Sequence, residues 1–117
     1  LTGLKQHTGN WVGKTVGNAA GSYTYNNNKY LITDLPGTYS LCAHSAEEII
    51  ACRHICLEKP DVTVIVCDAS CLERNLNLVL QITEITSKAV LCVNMMDEAE
   101  KKNIKTDITK LSQQGYL

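Results

Sequence analysis

Apolar residues in this chain alternate between short continuous runs and longer stretches with helical spacing. Residues 62–67 and 89–93 are apolar almost without interruption, which is typical of strands in a parallel sheet that is covered on both faces. Residues 45–58 and 71–85 carry apolar side chains at intervals of three or four, which predicts helices. Because strands alternate with helices of this length, the chain is predicted to have an α/β fold with a mostly parallel sheet.

The first third of the chain departs from this alternation. Residues 18–25 and 29–33 flank an Asn-Asn-Asn turn signal, so they are predicted to form an antiparallel hairpin. Residues 1–16 are rich in Gly, Thr and Asn and are predicted to be a loop. Near the other end, residues 97–102 and 104–115 predict two further helices.

Composition limits the classes of function. With 117 residues the chain has the length of one domain, and its net charge of -1 argues against a nucleic-acid-binding surface. The six cysteines are predicted to be thiols in a reducing compartment, because Cys67 and Cys92 lie in apolar strand-like runs. The chain has neither an initiator Met nor a signal-peptide layout, so we expect it to be part of a longer protein.

A first candidate motif, Asp34-Leu35-Pro36-Gly37, comes directly after an apolar run. Open α/β sheets bind ligands at the carboxyl ends of their strands. At such a position Asp34 can hold a water molecule of a phosphate-bound Mg²⁺. Gly37 has no Cβ, so its backbone N–H can approach a terminal phosphate oxygen. The alternative is a plain turn after a strand.

A second candidate motif, Asn94-Met95-Met96-Asp97, follows the apolar run of residues 89–93. The Asp97 carboxylate only accepts hydrogen bonds, and guanine offers it two adjacent donors where adenine offers an acceptor. A carboxylate at this position therefore favours guanine over adenine, and the Asn94 amide can hold the neighbouring loops. The alternative is that Asp97 caps the helix that begins there.

The chain contains no G-x-x-x-x-G-K-[ST] phosphate loop. Gly13-Lys14-Thr15 resembles its end, but Thr8 stands where the first Gly is required and no helix pattern follows. Thr15 instead offers a hydroxyl to Mg²⁺ from a loop. Cys52 and Cys56 lie one helical turn apart and could share a metal, but a zinc site needs two further ligands; we favour cysteines of a helix core.

Taken together, these residues resemble the bacterial ferrous iron transport protein B (FeoB) family. The resemblance covers nearly the whole chain and is most specific in two strings, Gly9-Asn10-Trp11 and the Asp-Leu-Pro-Gly-Thr-Tyr-Ser-Leu of residues 34–41. It implies that residues 1–117 are part of a G domain with a three-layer fold like that of the phosphate-loop GTPases. Such a domain lies on the cytoplasmic face of the bacterial inner membrane, within a multi-pass Fe²⁺ transporter.

The resemblance also implies ligands, partners and residue roles. The ligands are GTP or GDP, Mg²⁺ and K⁺; the partners are the helical and membrane domains of the same protein and small accessory Feo proteins, with no nucleic acid. The implied sites are Mg²⁺ at Thr15 and Asp34, and the nucleotide at Asp34, Gly37, Thr38, Asn94, Met95 and Asp97. Thr38 stands where many GTPases carry a water-positioning Gln, so slow hydrolysis is expected and no catalytic residue is assigned.

By the same resemblance, the family's first strand and phosphate loop would precede Leu1, and its last strand would follow Leu117. That first strand lies between the strand ending at Asp34 and the strand ending at Asp68, so two sheet edges are expected to be unpaired. We therefore expect this chain to bind GTP weakly or not at all and to be prone to self-association. The alternative function is a non-enzymatic α/β interaction module.

Overall fold

The structure, a computed structural model, describes residues 19–113. It begins with an antiparallel hairpin of strands β1 (Ala19–Tyr25) and β2 (Asn28–Asp34). Asn26 and Asn27 between them have φ of 48° and 62°. Positive φ at both central residues is the geometry of the turns that suit the twist of a two-residue hairpin, and Asn tolerates it well. The predicted hairpin is thus confirmed.

The rest of the described chain alternates helices and strands, as predicted. The elements are α1 (Ala46–Arg53), β3 (Thr63–Asp68), α2 (Leu72–Ile85), β4 (Ala89–Asn94), α3 (Met96–Lys101) and α4 (Ile108–Gln113). Strands β3 and β4 pair in parallel, with Asp68 opposite Asn94, and α2 connects them. The α/β class and the parallel pairing are therefore confirmed.

Local hydrogen bonds explain where the first helices begin. Ser45 caps α1, since its hydroxyl accepts a hydrogen bond from the Glu48 N–H at 3.2 Å. The helix continues as a wider π turn, His54–Glu58, and Lys59 ends it with a left-handed φ of 46°. Before α2, the Asp68 carboxylate accepts the Ser70 N–H at 2.7 Å and caps a short 3-10 turn, Ala69–Cys71.

The core lies on one face of the β3–β4 pair. Its central buried residues come from both strands and from helices α1 and α2: Ala51, Ile55, Ile65, Cys67, Val79, Ile82 and Leu91. On the other face, Val64 and Val66 are 60% and 63% exposed, and Cys92 is also exposed. The prediction that β3 and β4 are covered on both faces is therefore wrong for residues 19–113, whereas the three-layer arrangement stays a prediction. Successive strand residues point to opposite faces, and both core helices pack on the Ile65 face.

Within residues 19–113 the strands form two separate two-stranded sheets, β1–β2 and β3–β4. A groove of about 720 Å³ lies between them. Its walls are the β2 and β3 edges, residues 30–34 and 62–66, and its lining includes Ala51, Ile55, Leu78 and Ile82 of the helical layer. The edges of β2 and β3 that face each other are thus separated by an apolar groove. In the described part of the chain, no helix combines the length and hydropathy that a membrane crossing requires.

Candidate functional site

Three strands bring their carboxyl ends to one edge of the molecule. Asp68 and Asn94, the last residues of β3 and β4, are partners in the parallel register. The segment after β2 reaches helix α2, which follows the end of β3, because the Arg74 guanidinium lies 4.0 Å from the centre of the Tyr39 ring. The structure therefore places the end of β2, where Asp34 lies, on the same side as the ends of β3 and β4.

The first candidate motif is open to solvent. Asp34 and Gly37 are exposed, and both line the groove with Thr38. A Cβ added to Gly37 would have no neighbouring atom within 4 Å, so the packing of the chain does not require glycine here. The Thr38 hydroxyl donates a hydrogen bond to the Ser40 carbonyl at 2.7 Å, which stabilises a local turn.

The segment that follows, residues 38–44, is held by helix α2, and we refer to it as the tethered loop. The Gln81 Oε1 accepts a hydrogen bond from the Leu41 N–H at 2.7 Å, and its Nε2 donates to the Cys42 Sγ at 3.3 Å. Arg74 adds the cation–π contact with Tyr39. Sequence reasoning missed these tethers, because the partners lie 35 or more residues apart and nothing in one sequence pairs them.

Helix α1 holds the other end of the tethered loop through Glu48. Its carboxylate accepts the His44 N–H at 2.9 Å and the Ser40 hydroxyl at 3.2 Å. The bond from the His44 N–H is the main cause of a lowered pKa for Glu48. Desolvation opposes it, and the weaker Ser40 and Ser45 bonds add to the lowering. The tethered loop is thus fixed at both ends by side chains of α1 and α2.

The second candidate motif forms the turn from β4 into α3. Met95 has a left-handed φ of 60° and precedes the first helical residue, so Asp97 lies inside the first turn. The alternative that Asp97 caps the helix is wrong, because Met95 occupies the cap position and makes no side-chain cap bond. Asn94, Met95 and Asp97 are all exposed, and the Asp97 Oδ2 lies 3.7 Å from the Lys101 Nζ.

Of the predicted metal ligands, the structure describes only some. Thr15 lies outside the described residues. Among residues 19–113, no three side chains of the His, Cys, Asp or Glu type are grouped closely enough to hold a metal. The sulfur atoms of Cys52 and Cys56 are 3.9 Å apart, and Cys52 packs against the core, in line with the interpretation as helix-core cysteines.

Comparison with known proteins gives a consistent result. Residues 1–115 match a family model described as ferrous iron transport protein B. The Fe(2+) transporter FeoB of Shigella flexneri is 43% identical over 116 residues, which are 96% of this chain and 15% of that protein. The Fe(2+) transporter FeoB of Salmonella typhimurium is 41% identical over the same shares. The chain thus spans about 15% of the length of the curated relatives it matches.

Solved structures agree with this match. The cytosolic domain of L. pneumophila FeoB is 41% identical with a TM-score of 0.82, and the alignment covers 97% of this chain and 45% of that one. The cytosolic domain of the T. maritima FeoB iron transporter in its GMPPNP form is 37% identical with a TM-score of 0.82, over 98% and 46%. The FeoB G-domain from Methanococcus jannaschii is 45% identical with a TM-score of 0.79, over 82% and 62%.

Proposed function

Because the chain belongs to the ferrous iron transport protein B family and corresponds to part of its N-terminal G domain, we propose that it serves guanine-nucleotide binding in a bacterial Fe²⁺ transporter. The observation that carries the proposal is the strand-end edge, where both candidate motifs are exposed and Asn94 is the register partner of Asp68. Support also comes from the T. maritima relative, whose structures include a GDP and a GMPPNP form.

In this proposal Asp97 accepts the two guanine donors, while Asn94 and Met95 lie beside the base. The position of Asp97 supports this role, because the left-handed Met95 turns the chain from β4 into α3 and Asp97, in the first turn of that helix, is exposed. The exposed carboxylate is therefore available for a ligand.

The phosphate side is assigned to Asp34, Gly37 and Thr38, with Thr15 as a second Mg²⁺ contact. An exposed carboxylate at the end of a strand fits the preference of Mg²⁺ for oxygen ligands and retained water. The open space around Gly37 supports a ligand role, since the fold would accommodate a larger residue there. When bound, Mg²⁺ neutralises phosphate charge, and K⁺ is a further cation of the family resemblance.

The groove is the proposed position of the family's first strand, which leads into the phosphate loop. Both walls are strand edges, and the lining is apolar, as the place of a central strand should be. Since the phosphate loop supplies most phosphate contacts in this class, the 117-residue chain alone is proposed to bind GTP weakly and to hydrolyse it negligibly. The remaining transporter, with its helical and membrane domains at the inner membrane, and small accessory Feo proteins are the proposed partners.

A titration with fluorescent GDP tests the nucleotide site, with GTP, xanthosine diphosphate and ATP as competitors. It compares this chain with a longer version that includes a phosphate loop. We expect only the longer version to bind tightly, and to prefer guanine. In that version Asp97→Asn should weaken GDP at least tenfold, because each lost bond to the carboxylate is worth about 1.5–3 kcal/mol.

The same Asp97→Asn change should favour xanthosine diphosphate, because the amide donor now faces a carbonyl where guanine has an amine. Asp61→Asn, at another exposed aspartate, is the matched control and should leave both affinities unchanged. Failure of the longer version to bind any guanine nucleotide would overturn the proposed function.

A second candidate is a non-enzymatic interaction module, and the unpaired strand edges favour it. The β2 and β3 edges lack a strand partner within residues 19–113, and nearby apolar side chains are exposed, Leu31 on β2 to 77% and Val66 on the open face of β3 to 63%. Such edges pair readily with another chain, so self-association of this chain is proposed as well. Light scattering should detect dimers or larger species that disappear in Val66→Lys; a stable monomer at high concentration would contradict this proposal.

A further inference from the structure

Two thiols lie side by side at the end of helix α1. Cys52 belongs to the last turn of the helix and Cys56 to the π turn that continues it. Their sulfur atoms are 3.9 Å apart and share a weak S–H···S contact. Both side chains are half-buried, so they are held in place by their surroundings while one side stays accessible to a small molecule.

The distance suits an atom placed between the sulfurs. With bonds of about 2.3 Å, a usual length for a metal–thiolate bond, sulfurs 3.9 Å apart enclose an angle of roughly 115°. A pyramidal centre with a lone pair takes a narrower angle, so the two side chains would close slightly around it. A direct disulfide fits less well, because side chains four residues apart on a helix have Cβ atoms about 5–6 Å apart. A disulfide requires about 3.5–4.5 Å.

The number of ligands near the two thiols limits the kind of centre that they can bind. A structural zinc ion needs four ligands, and residues 19–113 group no third His, Cys, Asp or Glu side chain with this pair. His54, between the two cysteines in sequence, has its Nδ1 3.0 Å from the Glu58 Oε2. The site therefore suits a thiophilic centre that takes only two sulfurs from the protein.

We propose that Cys52 and Cys56 form a dithiol site for a trivalent arsenic centre that carries one organic substituent. With an organoarsenic oxide, each thiol gives up its proton and forms one arsenic–sulfur bond. The two protons leave with the oxide oxygen as water, and arsenic stays trivalent. Burial, and then the contact with Cys56, raise the pKa of the Cys52 thiol, so this thiol stays protonated at neutral pH and reacts slowly with ordinary alkylating agents.

Phenylarsine oxide is the probe, and intact-mass spectrometry of the folded chain is the measurement. We expect one adduct per chain, which a dithiol removes but a monothiol does not. Because the two sulfurs act within one molecule, resistance to the monothiol should exceed that of a one-cysteine adduct by about 100-fold or more. Cys52→Ser and Cys56→Ser should each abolish this resistance, whereas the matched control Cys42→Ser, at an exposed cysteine, should retain it.

Circular dichroism of the Ser variants separates loss of the site from loss of the fold. Competition with iodoacetamide gives a second readout, in which exposed Cys42 and Cys71 are alkylated first while the arsenical still binds. The proposal is overturned if the adduct remains resistant to monothiol in folded Cys52→Ser, or if the native chain forms no adduct that survives monothiol. The proposed dithiol site does not depend on nucleotide binding, so this experiment tests it independently of the proposed function.

Discussion

Replacement of Gln81 by methionine would test how firmly helix α2 holds the tethered loop. Methionine keeps the length and the helix propensity of glutamine but removes both polar contacts. These are the 2.7 Å bond from the Leu41 N–H and the 3.3 Å bond to the Cys42 Sγ. Leu41 is only 9% exposed, so its amide would be left without a partner in a place that water reaches poorly.

The size of the effect follows from these contacts. A donor left unsatisfied in a buried position costs about 1–3 kcal/mol. The contact to sulfur is weak and exposed and adds little. Because Gln81 is itself only half-buried, water compensates in part, and we expect the variant to lose about 1–2 kcal/mol of unfolding free energy. That corresponds to about 5–30-fold in the folded-to-unfolded ratio.

Urea unfolding measures the global loss, and hydrogen exchange of the Leu41 amide reports the local one. Exchange should accelerate at Leu41 more than at β3 amides. Glu84→Met, an exposed position on the same helix, is the matched control and should change neither. If Leu41 exchanged at its original rate in a folded Gln81→Met protein, the tether would not be what holds this loop.

Three further outcomes are expected. Arg74→Met should lose about 0.5–1 kcal/mol of unfolding free energy, because it removes the exposed contact with Tyr39. A double-mutant cycle with Tyr39→Leu should give a coupling energy of the same size. If the losses of the two single variants were additive, the contact would contribute nothing. Asn27→Ala should cost about 1–2 kcal/mol in urea unfolding, because its left-handed backbone disfavours Ala, whereas the extended Asn28→Ala should not. The Ser70 N–H bond lowers the pKa of Asp68 below its ordinary value, so the stabilisation it gives is present above the unfolded pKa and is lost as pH falls through the folded pKa. In unfolding measured against pH, this pH-dependent stability should disappear in Asp68→Asn but not in Asp61→Asn.

Much of the fold was predictable because the local signals are strong. The Asn-rich turn, the Ser45 cap and the continuous runs at β3 and β4 each have a mechanism that acts within a few residues. The exposure of Val66 and Cys92 was not predictable in this way. A continuous apolar run indicates what a strand is suited to contact, whereas its actual burial depends on what packs on each face.

In the candidate site, too, features set by the local sequence were predictable and features set by packing were not. Asp34 and Asn94 end their strands as predicted, since strand ends follow from the apolar pattern. The left-handed Met95 was not predicted, because a long side chain there costs about 1–2 kcal/mol relative to the right-handed form and the usual sequence signals are Gly and Asn. The link between Leu41 and Gln81 depends on tertiary packing, which no local pattern encodes.

The separation of the two sheets has a consequence for the cooperativity of unfolding. An isolated two-stranded hairpin is only marginally stable in water, and the β1–β2 ladder shares no hydrogen bonds with β3–β4 within residues 19–113. The hairpin should therefore open at lower free energy than the core around Val79, as a separate cooperative unit. A strand seated in the groove would hydrogen-bond to both edges, so it would merge the two units into one that melts in a single step.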